Sequence, residues 1–577
     1  MTTRLSAGAL SRDGDVQPGG LRAGRITLID RLSASHARAC AALALLCLLL
    51  FLPGQASLQP MDRDEPRFAQ ATKQMLETGD FVAIRFQDEA RNKKPVGIYW
   101  AQAAAVAAGE ALGVPNARTQ IALYRIPSLL GALASALLAY WGALAFLARR
   151  EALLAAALYG ACLMLNAEAH LAKTDALLAA CATASLAALA QVWLRRESRI
   201  SLPVFLAFWL GIAVGILVKG PMVPLFVVLP ALFLSWKARS ASWLRPLRPL
   251  AGLALTAVIV APWFVAITLK SGGAFYAEAV GKDMLGKVGG AAERHWGPPG
   301  AYTLAFFATF WPGAAFAAMS VPLAWRERRT DAVAFLIATI LPAWLIFEAV
   351  PTKLPHYVLP LMPWIAVLTV IALTRGEITP RRRCARAVAL LVPAIPLGLT
   401  FGLCLTGWKL DNHTIPWISL PVLAAACLAA GASWIAFARD LPERAIALAI
   451  LGSGLLGPGV LGLAQRQLPT FKVSPRLAAF QSTMPCRDPL VGTLGYREPS
   501  LVFLTRTDLV MLPDGDAAKA FLQGGGCRLL FVEGRERDAF NFAWPVGRPA
   551  PPPLGVVEGF NLNNGRRVYA TAYAAAP

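Results

Sequence analysis

Long apolar runs separated by short polar segments dominate this chain. The runs are about 17–25 residues long, the length that crosses the hydrocarbon core of a bilayer. The first lies at about Ala39 to Pro53. The polar and basic residues 1–38 precede it and no small-residue cleavage site follows it, so it reads as a retained helix rather than a signal peptide. Later runs lie near Ile126–Leu147, Ala152–Ala167, Ala176–Leu194, Leu202–Val218, Pro221–Trp236 and Leu250–Leu269. They continue near Tyr302–Ala324, Ala332–Val350, Tyr357–Leu373, Ala387–Thr406, Pro416–Phe437 and Ala445–Leu463. The pattern predicts about thirteen transmembrane helices.

Alternating the loops from a cytoplasmic N-terminus sorts the charges. One side collects Arg149-Arg150, Arg195-Arg196, Arg326, Arg328-Arg329, Arg381-Arg382-Arg383 and Arg439. The short loops of the other side hold only Lys173, Lys219, Lys353 and Lys409. The positive-inside rule therefore places the first side in the cytoplasm. A span at Val96–Gly113 would invert every later loop, so this stretch is expected to form helices on the outer membrane surface. A second surface helix is expected at Glu65–Leu76, with Phe68, Thr72, Met75 and Leu76 on one face and Arg67, Gln70, Lys73 and Gln74 on the other. Both lie in a large outer loop, 54–125. A second outer loop, 270–300, is rich in glycine and charge and is expected to order around a ligand.

Hydropathy falls after about Arg466. Strand-like Leu490–Leu494, Leu501–Leu504, Leu509–Leu512 and Arg528–Val532, a helical Ala517–Leu522 and a Pro-rich loop at Pro551–Pro553 predict a small α/β domain on the outer face. The expected division is a cytoplasmic tail at 1–38, a membrane domain at 39–465 and a periplasmic domain at 466–577. Cys486 and Cys527 fall in that last domain, where an oxidising periplasm permits a disulfide; two buried thiols are the alternative.

Composition agrees with a membrane protein: 56% of the 577 residues are hydrophobic and only 15% charged. The net charge of +21 comes from arginine clusters between apolar runs, which argues against a nucleic-acid binder. No P-loop, GxSxG elbow or dinucleotide fingerprint occurs, so any activated substrate must bring its own leaving group.

The most charged stretch is Met61–Trp100. Asp64 is either a helix N-cap or a functional carboxylate. Lys93-Lys94 either snorkels to lipid phosphate or binds a phosphate of the substrate. Asp175 borders an apolar run, where a carboxylate needs a partner or a polar cavity; Lys173 is its candidate partner. His170, His295, His356 and His413 all map to the outer side. With Asp283 and Glu293 near His295 a divalent-metal site is conceivable, although no pair has metal-ligand spacing. Lys219 and Lys353 add cations to the same face and suggest a phosphorylated lipid substrate.

In order along the chain, Asp64-Glu65-Pro66-Arg67-Phe68-Ala69, Leu76-Glu77-Thr78-Gly79-Asp80, Lys94-Pro95 with Tyr99-Trp100, Arg125-Ile126-Pro127-Ser128, Thr174-Asp175, Lys219-Gly220-Pro221 and Lys353-Leu354-Pro355-His356-Tyr357-Val358-Leu359-Pro360 resemble motifs of the GT-C glycosyltransferases. The resemblance is to the aminoarabinose transferase (ArnT) and protein O-mannosyltransferase-like group. It implies a mostly α, polytopic GT-C-like fold with periplasmic surface helices and a small C-terminal α/β domain. It also implies transfer of a sugar from a polyprenyl-phosphate carrier to a periplasmic acceptor such as lipid A, by a monomer in the bacterial inner membrane. Asp64, Lys94 and Asp175 would be the catalytic residues. Arg67, Lys93, Tyr99, Lys219, Arg294, His295, Lys353, His356 and Tyr357 would contact substrate. The transferred sugar would be 4-amino-4-deoxy-L-arabinose or a relative. Lys93 stands where that group usually has Glu, which leaves metal use and the sugar open and suits a more acidic one, such as a uronic acid. A transporter or lipid flippase is the rival; it would not require the charged outer loop or an external α/β domain, and no repeated halves are visible.

Overall fold

A computed structural model describes residues 27–61, 64–196, 199–286, 296–545, 549–561 and 563–575. Among them, nine helices are long and apolar enough to cross a membrane. A tenth span is a pair, Arg149–Gly160 and Leu163–Ala169, bent by 62°. Shorter apolar helices at His36–Phe51 and Met222–Ala238 match two further expected runs. The expected Tyr302–Ala324 span is instead three short helices, Ala301–Thr309, Ala314–Ala318 and Val321–Arg326. Trp311-Pro312-Gly313 falls at its first break, where proline lacks the N–H that a continuing helix would use.

Helix Asp175–Arg195 is the axis of the bundle and is buried along almost its whole length. Small residues permit this. A side chain at Gly131 would meet the Leu177 backbone at 2.8 Å, and one at Gly211 would meet the Cys181 carbonyl at 2.7 Å. Close backbone approach of this kind replaces the hydrophobic drive that helices lose inside lipid.

The stretch expected at the outer surface forms helix Gly97–Ala111, packed against helix Ile121–Ala143. The other, Glu65–Thr78, corrects the expectation of a polar outward face. Gln70, Lys73 and Gln74 are buried beneath the C-terminal region. Gln70 donates to the Thr507 hydroxyl at 2.8 Å and Lys73 to the Phe503 carbonyl at 3.2 Å. The polar face binds protein backbone and side chains rather than water.

Short strands β1 (Arg85–Phe86) and β2 (Glu89–Ala90) pair before helix Gly97–Ala111, and the C-terminal region carries a five-stranded sheet of order β4-β3-β5-β7-β6. Its strands are β3 (Leu490–Leu494), β4 (Val510–Leu512), β5 (Arg528–Glu533), β6 (Pro553–Phe560) and β7 (Arg567–Ala574). β4, β3 and β5 are parallel; β5, β7 and β6 are antiparallel. Leu501–Leu504, expected as a strand, belongs to helix Pro499–Leu504, because Pro499 opens a helix at its first turn. Cys486 and Cys527 form a disulfide across the start of β3 and β5.

Candidate active site

Two adjacent carboxylates divide the work at the start of helix Glu65–Thr78. Glu65 faces inward. It takes a two-pronged ion pair from Arg125 at 2.7 and 2.9 Å and accepts the Met61 and Ala172 amides. Arg125 is fully buried and also donates to the carbonyls of Gln55, Leu58 and Gln59. Glu65 and Arg125 thus fasten the outer loop to two later elements. Asp64 is left exposed, and its side chain makes no capping hydrogen bond, so the N-cap alternative does not hold.

Lys94 is placed by a glycine. A side chain at Gly97 would meet the Leu217 backbone at 2.8 Å, so the loop before it lies against the end of helix Leu202–Lys219. Lys94 pairs with Asp283 at 2.5 Å. Both line a cavity of about 620 Å³ with Lys93, Lys219 and Tyr357. Ile216, Leu225, Phe264, Val280 and Met284 give that cavity an apolar wall.

Asp175 opens the central helix at the inner end of this cavity. Lys219 pairs with it and lies 5.0 Å from the centre of the Tyr357 ring. Lys173 bonds Glu168 at 2.9 Å and lies 3.6 Å from Asp175. His356 sits 3.7 Å from both carboxylates. Burial opposes the charge on Lys173, but Glu168, Asp175 and, farther off, Asp64 outweigh it and hold the ammonium above the ordinary lysine range. The charges of Asp175, Asp283 and Asp64 all reach the Tyr357 hydroxyl. Lys94 therefore lines the cavity directly, Asp175 meets it only through Lys219, and Asp64 is not among its lining residues.

A family profile described as dolichyl-phosphate-mannose-protein mannosyltransferase matches residues 94–265. An undecaprenyl phosphate-α-4-amino-4-deoxy-L-arabinose arabinosyl transferase of Erwinia tasmaniensis is 28% identical over 432 residues, covering 70% of this chain and 74% of that protein. The protein of the same name from Pseudomonas aeruginosa is 28% identical over 336 residues, 57% of each chain. The crystal structures of ArnT from Cupriavidus metallidurans, in the apo state and bound to undecaprenyl phosphate, superpose with a TM-score of 0.66 at 18% identity, covering 92% of this chain and 97% of that one. The chain is a membrane glycosyltransferase with the fold of the ArnT structures, similar in sequence to the arabinosyl transferases.

In this glycosyltransferase the other expected substrate residues are placed as follows. Lys93, Lys219 and Tyr357 line the cavity, and His356 stands behind it. Arg67 is half-buried at the first turn beside Asp64. Tyr99 is fully buried, and its hydroxyl has no hydrogen-bond partner among the described residues. Burial pushes this phenol up to about 12, so it is a neutral donor. Lys353 is turned away: it donates to the Phe347 and Glu348 carbonyls at 2.8 and 2.5 Å and closes the end of helix Asp331–Ala349. Arg294 and His295 lie outside the described residues, as does Glu293 of the conceivable metal set.

Glu168 was not a sequence candidate, since it ends an apolar run. It joins Asp175 and His356 in a trio whose donor atoms lie within 4.8 Å of one another. The trio does not suit a divalent cation. Lys173 and Lys219 already balance both carboxylates, and a further 2+ charge would be buried without a counter-charge. Sugar transfer is accordingly expected to survive dialysis against EDTA; loss of activity restored by one divalent metal would contradict this reading.

Proposed function

We propose that this glycosyltransferase takes its sugar from a polyprenyl-phosphate carrier and passes it to a periplasmic lipid, with lipid A as the first candidate acceptor. The observation that carries the reading is the cavity at Lys94. Its mouth is cationic, its wall is apolar, and it has room for a phosphate and the first isoprene units. The undecaprenyl-phosphate donor of the similar arabinosyl transferases supports the carrier. The distribution of arginine supports an outward-facing site.

The proposed reaction is a single displacement with inversion. The bond from the anomeric carbon to the phosphate oxygen breaks, and its electron pair leaves with the phosphate. Lys94 meets the growing negative charge once Asp283 gives way, with Arg67 and Lys93 beside it. The acceptor oxygen attacks from the opposite face. Asp64 orients a hydroxyl acceptor and takes its proton; an ionised phosphate acceptor would need only positioning. Asp175 holds Lys219 and Lys173 in register without itself meeting the sugar.

K94M is expected to lower kcat/KM for the prenyl-phosphate donor about 10²-fold, with K94R keeping part of the activity. Radiolabelled polyprenyl-phosphate sugar, crude lipid A and the purified protein provide the assay. No transfer by the wild type to any lipid fraction, with donor intact, would reject the proposal. Mass spectrometry of lipopolysaccharide from a strain lacking the gene identifies the sugar and acceptor together.

A further inference from the structure

Arg91 is buried to 8% exposure, its Nε is buried without a hydrogen-bond partner, and no ion pair to it is found among the described residues. Its guanidinium lies over the Phe68 ring, 4.7 Å from the centre, and Phe68 packs on Tyr99 at 5.4 Å. A ring face recovers only a small part of what a guanidinium loses on leaving water. Other buried cations nearby are satisfied: Arg125 pairs with Glu65, Lys173 with Glu168 and Lys219 with Asp175, while Lys73 donates to the Phe503 carbonyl.

A second polar group beside it is also unsatisfied. The buried Tyr99 hydroxyl has no partner among the described residues, and the charges of both Arg91 and Asp64 reach it. Arg91 is two residues before Lys93, which lines the donor cavity. A buried guanidinium and a buried neutral donor packed on the same Phe68 ring, with the Asp64 charge reaching the phenol, make a ready acceptor of an oxyanion. Arginine binds such a group through two parallel N–H bonds.

We propose that Arg91 and Tyr99 form a second anion subsite, separate from the Lys94 phosphate site, which receives a carboxylate or phosphate carried by the transferred sugar or by the acceptor. The inference rests on the donor reading above and narrows it to an acidic substrate pair. The subsite lies within reach of the Asp64 charge, where donor sugar and acceptor must meet, so it selects substrates rather than performing bond breaking.

The full-length protein in nanodiscs tests this with two arms. In the first, a short-prenyl phosphate carries either glucose or glucuronic acid. In the second, lipid A is offered with or without its phosphates. Binding is read by thermal stabilisation and transfer by product formation, for the wild type, R91Q and K94M. R91Q is expected to weaken one acidic ligand by about 10–100-fold, the loss expected for a hydrogen-bonded charge, and its neutral counterpart hardly at all. Selectivity in the first arm assigns the anion to the sugar; selectivity in the second assigns it to the acceptor. Equal loss on acidic and neutral ligands, or no loss on either, overturns the proposal.

Folding is a separate control. R91M keeps the stem over Phe68 and removes an unpaired buried charge, so its unliganded Tm should equal or exceed that of the wild type. A large fall in Tm would make Arg91 structural and also overturn the proposal. If the wild type binds no prenyl phosphate and K94M changes nothing, the donor reading fails; the lipid A binding arm still decides whether Arg91 takes an anion.

Discussion

Replacing Asp64 by asparagine is expected to cut sugar transfer to a hydroxyl acceptor about 10³-fold, within the range for loss of a positioned general base. The protein should fold as before. Asp64 is exposed, caps no helix N–H and takes part in no ion pair among the described residues, so its loss removes no packing. The asparagine keeps the size of the side chain and loses the proton acceptor. Donor binding should be nearly unchanged, because the phosphate is held at Lys94. The measurement is kcat and KM with a prenyl-phosphate sugar, alongside Tm. A loss confined to KM would move Asp64 from proton transfer to substrate binding.

The neighbouring residue should respond in the opposite way. R125M is expected to destabilise the protein by about 3–5 kcal/mol, the cost of leaving one member of a buried ion pair without the other. Glu65 would keep its two backbone amides but lose both prongs of its cation, and three loop carbonyls would lose their donor. Thermal unfolding in detergent measures this. E65Q should be destabilised comparably, since it leaves the buried Arg125 guanidinium without its carboxylate and its one amide oxygen can accept from only one of the Met61 and Ala172 amides. Activity measured well below the unfolding temperature should fall far less in E65Q than in D64N. Two adjacent carboxylates would then separate cleanly, one by rate and one by stability.

That separation marks the limit of what the residues alone disclose. Asp64 and Glu65 carry the same charge, and only the partner 60 residues away in Arg125 determines which one turns inward. The apolar runs were legible because lipid imposes length and hydropathy on every span. The Tyr302–Ala324 run misled because hydropathy does not register the break at Trp311-Pro312-Gly313. Gln70, Lys73 and Gln74 looked solvent-facing because helical periodicity reports polarity, whereas Gln70 and Lys73 bond residues more than 400 positions later and Gln74 bonds Gln87. Glu168 was hidden by the apolar run that it ends. Arg91 stood in plain view among many loop charges; its lack of an ion-pair partner among the described residues exists only in three dimensions. β6 escaped notice because proline, glycine and glutamate interrupt its alternation, and β7 because alanine, a weak strand former, fills much of it.

The proposed donor site is a single cavity lined by Lys94, with Asp175 held against it through Lys219. A cryo-EM structure of the full-length protein in nanodiscs with bound polyprenyl phosphate tests it most directly. The phosphate should lie about 3 Å from the Lys94 ammonium, within hydrogen-bond reach, with Asp283 displaced and the prenyl chain along Ile216, Leu225 and Phe264. A phosphate bound elsewhere, with the Lys94–Asp283 pair intact, would contradict it.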